Sequence, residues 1–206
     1  MNHLSERKDQ ITGFWDLENE EERDKLIAEI RSYAATQEPE AFSREARALF
    51  EQANFSGISV IYEALTADPD KWATFFKEEY KRAFQSAETA ENAWDILECL
   101  EEIGAVHTFP ATESREIVSL LSHYLSSHQD VLRYKAVWLL GDWIDQKNAG
   151  RHANVISLLE KRLDDPNWKI RMITKGVLED MGQLPAGYAV RLMDRLRATF
   201  SSPYQM

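Results

Sequence analysis

The sequence predicts an all-α protein, and three observations carry that prediction. Apolar residues recur at three- and four-residue spacing along most of the chain. Only 8 Gly and 6 Pro interrupt 206 residues, so long elements with short connections are expected. No stretch shows the sustained alternation of a half-buried strand. The spacing predicts helices over 18–35, 39–53, 57–67, 70–86, 89–103, 113–127, 130–146, 152–164, 167–182 and 186–200. Before residue 70 these form helical pairs without a repeat register. Gly104 stands where the helix over 89–103 ends, and Gly182 where the one over 167–182 ends, each suited to a left-handed cap. Thr112 or Ser114, ahead of "REIVSLL", suits an N-cap. "DDPNW" at 164–168 separates two helices, because Pro166 excludes its predecessor from the α region. The last segment, 184–200, carries Tyr188, Leu192, Leu196 and Phe200 on one stripe and Arg191, Arg195 and Arg197 elsewhere, which reads as a capping helix.

Composition narrows the function classes. A chain of 206 residues, 44% hydrophobic and 29% charged, is expected to be a folded, soluble single domain or one elongated array. The opening "MNHLSERKDQ" is polar, and no apolar run approaches the roughly 18 residues of a membrane span, so a cytoplasmic protein is expected, with no membrane partner. A single cysteine, Cys99, permits no internal disulfide and no CxxC metal pair, which fits a reducing compartment.

The net charge of −11 is unevenly placed. Residues 1–103 hold 24 Asp/Glu against 11 Lys/Arg, whereas residues 104–206 hold 11 against 13. Nucleic-acid binding requires Lys and Arg to neutralise phosphates, so this field opposes it. A basic protein or peptide is the expected partner. The competing explanation is that acidic helix faces only solubilise the chain.

Two segments superimpose without a gap at 38 residues: "VSLLSHYLSSHQDVLRYKAVWLLGD" (118–142) and "ISLLEKRLDDPNWKIRMITKGVLED" (156–180). Leu121 falls on Leu159, Leu132 on Ile170, Arg133 on Arg171, Leu140 on Leu178 and Asp142 on Asp180. A weaker third copy, "WDILECLEEIG" (94–104), follows "MITKGVLEDMG" (172–182) at an offset of 78. Neighbouring helical pairs of this kind bury a ribbon of Leu, Ile, Val and Ala that neither covers alone.

"LDDPNWKIRMITKGVLEDMG" (163–182) resembles the HEAT repeat, with Asp165, Pro166, Ile170, Arg171 and Leu178 at the signature positions. In the preceding copy Leu132, Arg133, Ala136, Leu140 and Gly141 fit, while Ser127 and His128 replace Asp-Pro. The resemblance covers roughly residues 70–182, leaving 1–69 as divergent N-terminal helices and 183–206 as the C-terminal cap of one domain, 1–206. It implies a right-handed α-α superhelix, a HEAT-like solenoid of about four to five helical pairs. It also implies that Arg133 and Arg171 form a structural ladder with turn aspartates, Asp165 being the expected partner of either.

In such solenoids the outward face of the second helices usually lines the concave surface. Steps two, six and ten from the Leu132/Ile170 position share a stripe, because four residues nearly complete a helical turn. The stripe comprises Trp94, Glu98 and Glu102; Tyr134, Trp138 and Asp142; and Met172, Gly176 and Asp180. Each copy ends in a carboxylate, and Trp138 replaces a residue that is typically polar in the family. An acidic and aromatic groove suits Lys and Arg through ion pairs and cation–π contact. The competing reading turns Trp138 into the core.

Catalytic motifs are lacking. His3, His107, His123, His128 and His152 show no metal-ligand spacing, no Gly-rich phosphate loop is present, and neither metal nor cofactor is expected. The expected function is a non-catalytic protein-binding module for a basic partner, with an immunity-type inhibitor of a cationic toxin as a special case. The enzyme alternative, carried by the resemblance, is a HEAT-like alkylated-DNA glycosylase. Trp138 and Asp142 would then face the damaged nucleotide and Arg171 a phosphate, against an opposing acidic field. HEAT-like lyases acting on bilin chromophores are a third class that no residue here favours.

Overall fold

The computed structural model describes residues 4–14, 19–52, 58–104 and 111–204, and every regular element among them is helical. After a 3₁₀ turn (Leu4–Arg7) come α1 (Lys8–Thr12), α2 (Glu20–Thr36), α3 (Pro39–Gln52), α4 (Ile58–Leu65), α5 (Pro69–Ala87), α6 (Ala93–Glu98) and α7 (Glu101–Gly104). The second half holds α8 (Ala111–Tyr124), α9 (Asp130–Trp143), α10 (Ala153–Arg162), α11 (Trp168–Asp180) and α12 (Leu192–Phe200). The helices fall into two compact units, residues 1–80 with 99–113 and residues 81–98 with 114–206, a division that the sequence reading of a single domain does not draw.

The first unit is built around aromatic rings. Phe42 meets Trp72 at 5.0 Å between centroids, and Tyr62 makes T-shaped contacts with Phe50, Phe75 and Phe76. Charged groups inside this core are paired, as burial demands. The fully buried Glu79 carboxylate accepts from Arg47 Nε at 2.8 Å and from the Tyr62 hydroxyl at 3.0 Å. Asn19 caps α2 by accepting from the Glu21 amide, and Glu20, Glu21 and Glu22 complement the positive end of its dipole. At the other end, Lys71 Nζ donates to the Ala34 and Ala35 carbonyls of the last helical turn, where Ala34 also accepts from the Gln37 amide. Helix α1, absent from the sequence reading, is held by buried Leu4 and Ile11, while Glu45 accepts from both the Leu4 amide and the Tyr33 hydroxyl.

In the second unit α6 packs on α9, α9 on α11, and α10 on α11. Gly141 permits the close approach of α9 to α11, since a Cβ there would lie 3.1 Å from Val177 Cγ2. Helix α11 ends as the sequence suggests. Gly182 adopts φ +67°, its amide donates to the Glu179 carbonyl and the Gln183 amide to that of Leu178, the paired bonds of a Schellman cap.

Three boundaries differ from expectation. The helix expected over 89–103 is interrupted at Cys99–Leu100, so the weakest repeat copy is split into α6 and α7. Helix α8 begins at Ala111, which places Thr112 and Ser114 inside its first turns rather than ahead of them. Of the segment 186–200 only Leu192–Phe200 is helical.

Candidate binding stripe and arginine ladder

The 38-residue repeat is visible in hydrogen bonds. Arg133 Nη1 donates to the Ser127 carbonyl at 2.9 Å, and Arg171 Nη1 donates to the Asp165 carbonyl, its equivalent one period later. The Gln129 amide donates to Ser127 Oγ at 3.2 Å, and the Asn167 amide to Asp165 Oδ1 at 2.9 Å, again one period apart. Ser127 thus closes its turn as Asp165 does, which is why the degenerate turn retains its geometry.

Each arginine also reaches forward to the next element. Arg133 grips Asp165 with Nε at 2.9 Å and Nη2 at 3.0 Å, a planar two-bond match, and Nη2 also meets Asp130 at 2.6 Å. The Asp165 carboxylate raises the Arg133 guanidinium pKa above its ordinary value, outweighing burial. Arg171 makes the same fork onto Asp194 of α12, at 2.7 and 2.6 Å. Asp165 therefore offers its carboxylate to Arg133 and its backbone carbonyl to Arg171. The bond from Arg171 holds the Asp194 carboxyl below the usual carboxylate range. With its guanidinium buried and its Nε, Nη1 and Nη2 all engaged, Arg171 is not available as the phosphate contact that the glycosylase alternative offers for it.

The stripe forms a continuous aromatic cluster over part of its length. The Trp94 and Tyr134 rings lie 5.5 Å apart, Trp138 stacks on Tyr134 at 6.2 Å and 24°, and Tyr204 meets Trp138 edge-on at 5.8 Å. Tyr134 is fully buried and its hydroxyl donates to the Pro203 carbonyl at 2.9 Å, so it is not the outward contact that the stripe reading makes it. Trp138 and Trp94 are each partly exposed, so Trp138 belongs wholly to neither core nor surface.

The other residues of the stripe differ in setting. Glu98 and Asp180 are exposed, Asp142 and Met172 are partly covered, and the Glu102 side chain lies outside the described residues. Glu98 follows Trp94 by one helical turn on α6, and Asp142 follows Trp138 by one turn on α9.

Three participants escaped the sequence reading. Lys135 is buried, with Nζ 3.9 Å from the centre of the Trp94 ring, a cation–π contact made by the protein's own chain. A lysine beside the stripe reads as solvated, and nothing in the pattern marks it as buried. Asp194 and Tyr204 lie in the terminal segment, outside the repeat, where no register points to their partners. Elsewhere in this unit, Glu88 accepts from Tyr124 at 2.8 Å, and burial with that bond pushes the Tyr124 phenol up to about 12.

Among the described residues no group of three or more His, Cys, Asp or Glu could hold a metal ion, and no helix is long and apolar enough to cross a membrane. His3 and His107 lie outside the described residues. No family model, curated protein or solved structure matches the chain.

Proposed function

We propose that the chain is a non-catalytic HEAT-like helical-repeat module that binds a basic protein through the acidic and aromatic side chains of its second helices. The observation that carries this reading is the partly exposed Trp138, stacked on buried Tyr134 and followed one turn later by Asp142. A rigid ring beside carboxylates suits a guanidinium or ammonium group, which gains from both the ring quadrupole and the negative charge. Lys135 on Trp94 is an intramolecular instance of that attraction. Exposed Glu98 and Asp180 extend the negative character along the same unit.

An immunity-type inhibitor of a cationic toxin is a special case of this reading, supported by the chain length and the net charge of −11. Affinity capture from lysate at low and moderate salt tests the reading. A specific basic protein retained by the wild type and lost by Glu98→Lys/Asp180→Lys supports it; identical capture by both opposes it.

A further inference from the structure

Helix α12 presents an exposed apolar face flanked by arginines. Leu192, Met193, Leu196 and Phe200 are 71%, 58%, 47% and 87% exposed. The Arg171–Asp194 pair explains why. At roughly 100° per residue these four side chains fall on the side of the helix opposite Asp194, so anchoring Asp194 turns the apolar stripe outward. Leu192, Leu196 and Phe200, three of the four residues expected to cap the array, are therefore among the most exposed large apolar side chains of the described residues. The same rotation places Arg195 on one flank and Arg197 on the other. Beside them, Trp168 and Lys169 from the first turn of α11 complete a groove of about 490 Å³ with Met193, Leu196 and Phe200.

We infer that this groove receives an acidic amphipathic helix of a partner protein, its apolar residues entering between Trp168 and Phe200 and its carboxylates meeting Arg195 and Arg197. Charge complementarity selects the occupant. A basic helix would set like charges against both arginine flanks, and two copies of α12 packed face to face would bring their own arginines together. The recess that Trp168 and Lys169 add beside α12 is shallow and open, and side chains at i, i+3 and i+4 of a partner helix fill it better than a flat lipid surface does. This surface shares α11 with the stripe but does not include the aromatic cluster on α6 and α9, and it does not rest on the function proposed for that cluster.

The test is selection of a random helical peptide library on the full chain, counter-selected on Leu196→Glu/Phe200→Asp. The expected peptides carry Asp or Glu beside bulky apolar residues at helical spacing. Their affinity should fall about tenfold or more in Phe200→Asp and in Arg195→Glu/Arg197→Glu, and should be unchanged in Glu98→Lys/Asp180→Lys. Basic peptides, or no enrichment over the counter-selected variant, would overturn the inference. So would a concentration-dependent dimer, or sedimentation with phosphatidylserine vesicles, that Phe200→Asp abolishes. Circular dichroism melts of the variants establish that each is folded, because the substituted side chains are exposed.

Discussion

Arg171 and Asp194 meet through two nearly parallel bonds of 2.7 and 2.6 Å, both side chains almost fully buried. This pair fixes α12 on the last repeat and sets its rotation. Replacing Asp194 by Ala leaves a guanidinium buried without its carboxylate, which costs about 3–5 kcal/mol. Urea unfolding should show that loss, and hydrogen exchange should show faster exchange in α12 than in α9. Replacing both partners with apolar residues of similar volume should recover part of the stability, because no charge is then stranded.

The Arg133–Asp165 contact predicts a sharp difference between two arginines that share one carboxylate. Arg133→Lys keeps the charge but cannot span both Asp165 oxygens and the Ser127 carbonyl, and should cost about 1.5–3 kcal/mol. Arg162 reaches Asp165 with a single 3.2 Å contact from a partly exposed position, so Arg162→Ala should cost no more than about 1 kcal/mol. Denaturant midpoints of the two variants check the order.

Acid should release α12 only late. The Asp194 carboxyl titrates lower in the folded chain than in the unfolded one, so its contribution is present above the ordinary carboxylate pKa and is lost as pH falls through the depressed value. A carboxyl-carbon NMR titration should place the Asp194 midpoint below 3.8, and Arg171→Met should raise it.

At the alkaline end, Tyr33 and Tyr124 should ionise near 12, each held neutral first by burial and then by the carboxylate that its hydroxyl meets. Their raised pKa values make a stabilising contribution that is full below the unfolded tyrosine value and lost as pH rises through the folded one. Absorbance near 295 nm should resolve this late phase, and Tyr124→Phe should reduce it.

Tyr204 stands edge-on to Trp138. Tyr204→Ala should uncover the indole, shifting tryptophan emission to longer wavelength and increasing acrylamide quenching. Trp138→Phe should remove that difference.

Regular helices were legible because their cores are periodic, and the arginine positions were legible because the two copies align without a gap. Other features leave little trace in a sequence. Leu4 and Ile11 are isolated apolar residues in a polar run, so no period marks the helix they anchor. "ECLEE" contains neither Gly nor Pro, and the break at Cys99–Leu100 has no local signal. The stripe of α12 reads inward until the Arg171–Asp194 pair is known, because a buried ion pair here overrides the apolar pattern. Tyr134 and Lys135 adjoin on α9, yet both are buried, one beneath the terminal segment and one against Trp94.

The decisive measurement for the proposed function is the indole N–H spectrum of ¹⁵N-tryptophan-labelled protein titrated with an Arg/Lys-rich helical peptide and with its Glu-substituted counterpart. A basic ligand seated on the stripe should shift the Trp138 resonance, the acidic peptide should not, and Glu98→Lys/Asp180→Lys should abolish the shift. A Trp138 resonance that stays in place at saturating basic peptide, or moves equally with both peptides, would contradict the proposal.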